Sequence, residues 1–448
     1  MDNLTKAMQE ASIVGNSTSQ VPEQLLFDPL PDLGIHPDVL EGIPRYLFRV
    51  VTPLSDGETD ANWVRSSAAC EMMESSREDI FKDLDDKKRT LVAYTLNKHF
   101  RWWPKEHVED NFVSWTSSLL FALQYIYYRH KSRKDGSSLE HIKLFVIDTT
   151  LFPSGTFLRD LVLLDVFYDF DSRSGRHNLK NLHSLRTEAK RQGLFYFGEY
   201  LSQGALRIEN KHQVISAASL MQGNLMQRLQ PLLPDIHDPA NEEPSWANEV
   251  LRLRDAIFLR TETSDELCTR ETNYRLESIR EIADLFQPGW KFPLAVYFAA
   301  LVGPKWGGLE FTALSDFLLS EPFYTEIQNF ELADFRPGAL DRIPELTQVK
   351  EVLHEIYMCF LARKAGEFLG EARVLIRHLH PRHVSYLQTT FSIDGPNAKM
   401  YYLVRRTILG RFAALRLACE EVVNAYDGPE EESPENMSAI DQPFVVET

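Results

Sequence analysis

Cysteine is scarce in this chain, and its spacing excludes two classes of protein. The four cysteines among the 448 residues lie far apart, and none belongs to a Cys-x-x-Cys pair: Cys70, Cys268, Cys359 and Cys419. Neither a zinc ribbon nor a disulfide framework is indicated, and a reducing compartment is expected. Residues 1–24 are polar and contain no apolar core of the kind that a signal peptide requires. We predict an intracellular protein, most simply a cytoplasmic one, and a nuclear location fits the same observations.

Positive charge is also in short supply. The 48 Lys and Arg residues against 65 Asp and Glu residues give a formal net charge of −17. Nonspecific binding to nucleic acid or to an anionic membrane needs clustered Lys and Arg, so we expect neither as a partner. Seven of the negative charges follow Tyr426, in a segment with three prolines and the run Glu430-Glu431-Glu432. This composition predicts a disordered acidic tail.

The chain has no apolar run of membrane-spanning length. The longest such stretch, residues 292–303, is too short to cross a bilayer as a helix. Pro293 near its start fits the first turn of a helix, where a missing N–H costs nothing. We therefore predict a buried core helix and no membrane insertion.

Glycine-rich phosphate-binding motifs are missing as well. The sequence contains no P-loop, and the glycines of residues 303–308 have the wrong spacing for a dinucleotide fingerprint. Three histidines cluster around Pro381 without a cysteine nearby: His378, His380 and His383. Zinc could bind such a cluster, but its position at one helix end gives no complete ligand set, and we expect no metal.

Strand and helix patterns mix in the first half of the chain, and helical patterns dominate the second. Strands are predicted at 47–51, 112–115, 142–147, 195–199, 205–208 and 213–216. Helices are predicted at 84–100, 119–130, 246–259, 264–285, 292–301, 311–319, 346–368, 371–379 and 399–424. The polar, proline-containing segment 233–246 reads as a boundary. We predict an α+β fold with a flexible leader (1–41), an α+β domain (42–232), a linker (233–246), an α-helical domain (247–426) and the acidic tail (427–448).

A hydroxyl cluster separates a short apolar strand from a helix at residues 112–119, FVSWTSSL. Ser117 or Ser118 is a plausible N-cap for the helix, which by itself would make this an ordinary capped core helix. Ser114 and Thr116, on one face of the strand, could instead hold a ligand.

Arg49 interrupts the apolar strand YLFRVV at residues 46–51. Because an unpaired buried charge is very costly, this cation needs a partner. One alternative is an internal carboxylate, for which Asp148 at the end of a later strand is a candidate. The other is an anion such as a pyrophosphate in a cleft, which suits the planar guanidinium.

Glu199 ends the aromatic run LFYFGEY at residues 194–200. If this run is a strand, Phe195, Phe197 and Glu199 project from one side, and the carboxylate continues an aromatic face. The alternative is an ordinary solvated glutamate on an edge strand.

The ordered set of a strand arginine, Ser-x-Thr before a helix, and a glutamate beside a turn resembles the Arg-Ser-Glu pattern of the ADP-ribosyltransferase fold. Residues 42–225 also resemble a family of uncharacterised filamentous-fungal proteins. The phrases that carry this likeness are LFRV at 47–50, VSWTSSLLFALQY at 113–125 and YFGEYLSQG at 196–204.

The resemblance implies that NAD is the substrate and that no metal takes part. Arg49 would hold a phosphate or the nicotinamide ribose, and Ser114 and Thr116 would support the same strand and ribose. Glu199 would be catalytic, because a carboxylate near that ribose stabilises the positive charge that develops when the nicotinamide bond breaks. Tyr200, Trp115 or Phe197 could stack on the nicotinamide.

One position departs from the pattern. Many transferases of this type carry Glu or Gln two residues before the catalytic glutamate, where this chain has Phe197. Transfer to an arginine or an amide is therefore less favoured than NAD hydrolysis or transfer to an unusual acceptor, which could be a protein. The alternative from a different class is an inactive interaction protein that binds a partner through its helical domain or its acidic tail.

Overall fold

The structure is a computed structural model that describes residues 24–103, 109–187, 195–236, 246–259, 269–303, 308–328, 343–378 and 398–427. The described residues up to His354 form one compact unit, and those from Glu355 onward form a second. Most of the predicted leader, most of the predicted linker, the acidic tail, His380 and His383 lie outside the described residues. The predicted domain boundaries stay predictions.

The described residues form nine strands, joined into one sheet in which every pairing is antiparallel. The strands are β1 (Gln24–Leu25), β2 (Tyr46–Val51), β3 (Glu58–Thr59), β4 (Trp63–Arg65), β5 (Phe112–Thr116), β6 (Lys143–Asp148), β7 (Leu158–Arg159), β8 (Glu199–Arg207) and β9 (His212–Ser216). Their order is β3-β4-β8-β5-β2-β6-β9, and β1 and β7 also pair with β8.

Helices lie between the strands in the sequence, and they predominate among the described residues after β9. They are α1 (Asp38–Glu41), α2 (Ser67–Cys70), α3 (Asp86–Phe100), α4 (Leu119–Lys131), α5 (Asp160–Phe167), α6 (Leu179–Thr187), α7 (Ala217–Met221), α8 (Leu225–Leu229), α9 (Trp246–Arg254), α10 (Thr269–Ala283), α11 (Lys291–Ala300), α12 (Gly308–Leu318), α13 (Phe323–Gln328), α14 (Pro344–His378) and α15 (Ala398–Asp427). A π-helical turn, Asp255–Leu259, extends α9. The predicted α+β class is confirmed.

One predicted strand is wrong. Residues 195–198 precede β8, which begins at Glu199 and continues through the predicted joint to Arg207. Gly198, whose φ of +65° lies in the left-handed region, is the residue directly before this strand. Glu199 consequently does not continue an aromatic strand face.

The sheet is nearly divided between β2 and β5. These strands pair at one position, Phe48 with Thr116. By contrast, β2 pairs with β6 at six positions, and β5 pairs with β8 at five. Beyond the single pairing the two halves of the sheet diverge, and backbone and side-chain groups between them are free to face a cleft.

Alternation along the strands fills a different core on each face of the sheet. Phe112 and Leu201 join the core beneath α3 and α5. Leu47, Trp115 and Tyr200 join a second core on the opposite face. Such two-sided burial fixes the strand register, since a shift of one residue would exchange the two faces.

Helix α11 packs its aromatic residues against β2. Tyr297 meets Tyr46 and Phe48 edge to face, with ring centroids 6.2 and 5.2 Å apart. Residues 292–300 are all buried, which confirms the predicted core helix. Within the described segments, no helix combines the length and the apolar character needed to cross a membrane.

The burial of Leu47 predicts its contribution to stability. Leu47→Ala should lower the free energy of unfolding by about 2–5 kcal/mol, because the fully buried side chain would leave a cavity. Leu91→Ala is the control, since Leu91 is 62% exposed on α3, and its effect should stay within about 0.5 kcal/mol. Urea unfolding of both variants checks the difference, and equal losses would contradict the assigned strand face.

Candidate active site

A cleft of about 360 Å³ opens where β2 and β5 diverge. Its walls come from these strands, from α4, from the end of α3 and from the start of β8. Arg49, Ser114, Thr116 and Glu199 all line it, so the structure brings together four of the five site residues predicted from the sequence. The fifth, Tyr200, is only 1% exposed in the core and does not line the cleft.

Arg49 is a half-buried cation whose hydrogen-bond acceptors are uncharged. Its Nη1 donates to the Ser114 carbonyl oxygen at 2.9 Å, and its Nε lies 3.4 Å from the Thr59 hydroxyl. Asp148, the alternative partner, instead binds Arg45 at 3.0 Å. In the part of the chain that the structure describes, Arg49 forms no ion pair with a carboxylate. Burial lowers the pKa of Arg49 to about 10, which leaves it charged at neutral pH and open to an anion.

Glu199 is held on both of its carboxylate oxygens. The Ser114 hydroxyl donates to Oε1 at 2.7 Å, and Nη2 of Arg186 binds Oε2 at 3.0 Å. The side chain is 15% exposed, and its strand is interior, with β5 on one side and β7 on the other. The alternative of a solvated glutamate on an edge strand is wrong.

Arg186 is shared between two carboxylates. Besides Glu199, it binds the fully buried Asp160 at the start of α5. Burial raises the pKa of Asp160 from 3.8 to about 7, against the opposing charge of Arg186, and the nearby charge of Glu199 adds to the rise. Because one cation serves two acids, the group of three carries a net negative charge whenever both carboxylates are ionised.

A histidine and an aspartate that the sequence analysis missed form a hydrogen-bonded chain to Ser114. Nε2 of His99 lies 2.7 Å from the Ser114 oxygen, and Nδ1 lies 2.8 and 3.1 Å from the two carboxylate oxygens of Asp110. Both side chains are almost fully buried. No local pattern marks them, because His99 ends α3 and Asp110 precedes β5, and only the fold brings them together.

The order Asp110, His99, Ser114 matches the residue types of a serine hydrolase triad, but the site is unsuited to acyl transfer. The Ser114 oxygen is already bonded to His99 and, at 2.7 Å, to Glu199. A carboxylate beside the nucleophilic oxygen would repel the oxyanion that acyl transfer must stabilise. Ser114 therefore acts as a link between His99 and Glu199.

Thr116 fixes the turn before Glu199. Its hydroxyl donates to the Phe197 carbonyl at 2.6 Å and accepts from the Ser118 amide at 3.0 Å. Ser118 accepts from the Phe121 amide at 3.1 Å, which confirms it as the N-cap of α4. A side chain at Gly198 would overlap the Ser117 hydroxyl, so glycine is required twice, by its φ and by space.

A buried ion pair holds the same turn from the other side. Arg254 of α9 is fully buried, and its Nη1 donates to the Tyr196 carbonyl at 2.7 Å. Glu345 in the first turn of α14 binds Arg254 at 2.7–3.2 Å and also accepts from the Ser118 hydroxyl. The helices after the sheet thus help to position Glu199.

Aromatic rings form one wall of the cleft. Phe197 stacks on Phe121 with ring centroids 5.1 Å apart, and Phe121 stacks on Tyr125 at 5.9 Å. Trp102, which is 38% exposed, also lines the cleft, and its ring centroid lies 4.8 Å from that of Tyr125. Among the three rings predicted to stack on a ligand, Phe197 belongs to this wall. The Trp115 ring lies in the core, where its Nε1 donates to Ser202 at 3.0 Å.

The remaining charges of the cleft lie away from Glu199. Arg129 pairs with Asp135 and also donates to the Tyr125 hydroxyl at 2.8 Å. Lys134 is exposed at the rim. Arg49 lies between this rim and Glu199, so the cleft offers a cation for an anion, flat rings for a planar group, and a carboxylate.

Metal binding is not indicated by the side chains that the structure describes, since no three His, Cys, Asp or Glu residues among them are placed to share an ion. Two members of the histidine cluster around Pro381, His380 and His383, lie outside the described residues.

The fold and site define an α+β protein with a charged, aromatic-walled cleft in an antiparallel sheet. Residues 42–209 match the family described as "Domain of unknown function (DUF7587)". That span contains Arg49, His99, Ser114, Arg186 and Glu199, whereas the ion pair of Arg254 and Glu345 that holds the turn before Glu199 lies outside it. No curated protein and no solved structure matches the chain.

The raised pKa of Asp160 predicts a pH dependence of stability. The folded chain keeps a proton on Asp160 that the unfolded chain releases above about pH 4, so this residue's contribution to the free energy of unfolding falls as pH rises from about 4 to 7. Asp160→Asn removes that proton equilibrium. From pH 4 to 8, wild type should lose more stability than the variant, by an amount on the order of a few kcal/mol. Urea unfolding at both pH values checks this, and parallel changes would show that Asp160 is not the titrating group.

Proposed function

We propose that this chain cleaves the bond between nicotinamide and ribose in NAD, as an ADP-ribosyltransferase or an NAD glycohydrolase. The observation that carries the proposal is Arg49, a half-buried cation bound to no described carboxylate in the same cleft as Glu199. A guanidinium of this kind is suited to a phosphate of the dinucleotide. The resemblance to the Arg-Ser-Glu pattern gives the same assignment of roles.

Glu199 is the catalytic residue of the proposed reaction. When the carbon–nitrogen bond to nicotinamide breaks, its electron pair leaves with the nicotinamide, and positive charge develops on the ribose carbon and ring oxygen. A carboxylate beside the ribose stabilises that charge, and Ser114 holds the carboxylate by its hydrogen bond of 2.7 Å. Water or another nucleophile then forms the new bond to the ribose carbon and gives up a proton.

The aromatic wall favours a planar group beside Glu199. Phe197 and Phe121 provide flat apolar surface next to the carboxylate, and the nicotinamide ring can lie against it. At Phe197 the cleft offers no carboxylate or amide to orient an arginine acceptor. Hydrolysis, or transfer to an acceptor that does not need such a group, is therefore favoured; a protein could supply that acceptor in an intracellular setting.

One contact favours the alternative of an inactive interaction protein. The ion pair between Arg186 and Glu199, at 3.0 Å, reduces the negative charge available to an oxocarbenium-like ribose. Arg186 is shared with Asp160, so Glu199 keeps part of its charge, and we place the enzyme first. In the alternative, the ionic network stabilises the fold, and a partner binds elsewhere.

Glu199→Gln should abolish NAD cleavage with little change in thermal unfolding. Glutamine keeps the shape and accepts the Ser114 hydrogen bond but lacks the charge needed beside the ribose. We expect a loss of at least about 100-fold in nicotinamide release, the scale of lost electrostatic stabilisation. Glu209→Gln, an exposed change beyond the end of the same strand, is the matched control. Equal release from wild type and Glu199→Gln would remove the catalytic assignment, and no release from wild type despite NAD binding would favour the inactive protein.

Arg49→Lys should weaken NAD binding, because an ammonium group cannot reproduce the bidentate contacts of guanidinium. The dissociation constant, measured by calorimetry with Glu199→Gln as background to prevent turnover, should rise by roughly 10-fold or more. Arg45→Lys is the control: Arg45 lies next to the same strand, pairs with Asp148 and does not line the cleft. Unchanged affinity in Arg49→Lys would contradict the anion site.

A further inference from the structure

His99 is the group that decides which way the hydrogen bond between Ser114 and Glu199 runs. A serine hydroxyl has one proton to donate, but the Ser114 oxygen has two close partners, Nε2 of His99 and Oε1 of Glu199, each at 2.7 Å. If Ser114 donates to Glu199, then His99 must donate to Ser114 from Nε2.

The other nitrogen of the His99 ring binds Asp110. Nδ1 lies 2.8 Å from one carboxylate oxygen of Asp110 and 3.1 Å from the other. The proton in this contact lies either on Nδ1, beside an ionised Asp110, or on Asp110 itself. In both cases Nε2 is protonated when Ser114 donates to Glu199.

A second kind of arrangement reverses the hydrogen bond between Ser114 and His99. A neutral His99 would accept from Ser114 at Nε2, and the 2.7 Å contact between Ser114 and Glu199 would then need a proton on Glu199. That state lacks the negative charge that NAD cleavage requires. The two arrangements differ by the location of one proton, and the direction of the Ser114 hydroxyl reports it.

We propose that His99, clamped by Asp110, is a positioning residue that carries this proton, makes Ser114 donate to Glu199 and so keeps the carboxylate ionised and correctly oriented. The proposal rests on the proposed NAD cleavage. His99 does not touch the substrate and loses no proton during the reaction. If Nε2 carried no proton, Ser114 would turn its hydroxyl toward it, and Glu199 would lose a hydrogen-bond donor.

The groups around His99 hold its ring in place with Nε2 facing Ser114. Asp110 approaches from the chain before β5, and Glu199 approaches through Ser114 from β8. The cations nearest in the cleft have acceptors of their own: Arg186 binds Asp160 and Glu199, and Arg49 donates to the Ser114 carbonyl. Phe100 and Phe112 enclose the ring edge to face, with centroids 5.9 and 5.7 Å away, and prevent it from turning.

Two substitutions separate positioning from a merely structural role. His99→Gln keeps an amide that can donate to Ser114 but does not titrate, whereas His99→Leu cannot donate. We expect kcat for NAD cleavage to fall roughly 10- to 100-fold in His99→Leu, with KM within about 2-fold of wild type because the Arg49 site is intact. His99→Gln should retain more activity than His99→Leu. His130→Gln, on α4 outside the cleft lining, is the matched control.

A spectroscopic measurement needs neither turnover nor a destabilising change. In wild type with ¹⁵N-labelled histidine, Nε2 of His99 should carry a proton, with the signal assigned by its loss in His99→Gln. An Nε2 without a proton, or unchanged kcat in His99→Leu, would overturn the proposal. A His99 protonated at Nε2 in a chain that binds but does not cleave NAD would overturn the proposed function and leave the hydrogen-bond assignment standing.

Discussion

The separation of β2 from β5 is the constraint on which the rest of the site depends. A fully paired sheet would use the Ser114 carbonyl for a neighbouring strand, and Arg49 would have no access to it. With one pairing position, Phe48 to Thr116, the strands stay in register but open beyond it. The opening gives Arg49 a backbone acceptor at 2.9 Å, while the pairing of β5 with β8 on the other side brings Ser114 to Glu199. The cleft thus follows from a missing stretch of sheet.

The charges around that opening form a linked set. Successive hydrogen bonds and ion pairs join six side chains, in the order Asp110, His99, Ser114, Glu199, Arg186 and Asp160. Buried ions stabilise a fold less than apolar residues of the same size often do, and removing one partner alone leaves a costly charge behind. A chain that keeps such a set in its interior gives up stability for a precise arrangement. Arg49 stands apart from the set, because its acceptors are neutral.

The sequence was sufficient for those features that a local pattern carries. The runs around Arg49 and Ser114 are β-rich with two-residue alternation, and the structure has strands there. Ser118 precedes an apolar helical repeat and caps it. His99, Asp110, Arg186 and Asp160 could not be found in this way, because each lies at the end of an element or within a helix and acquires its role through contacts distant in sequence.

The error at residues 195–199 has a similar origin, since aromatic residues favour strands and only the left-handed conformation of Gly198 reveals the turn. That glycine and the neighbouring hydroxyl run constrain each other. A side chain at position 198 would overlap Ser117. The residues on either side of Ser117 have structural roles of their own, since Thr116 holds the turn and Ser118 caps α4. The glycine and the hydroxyl run therefore depend on each other sterically. A related chain that replaces the glycine while keeping the bulk of the hydroxyl run must carry its glutamate on a differently shaped turn. The Gly-Glu pair is therefore a better marker of this cleft than the glutamate alone.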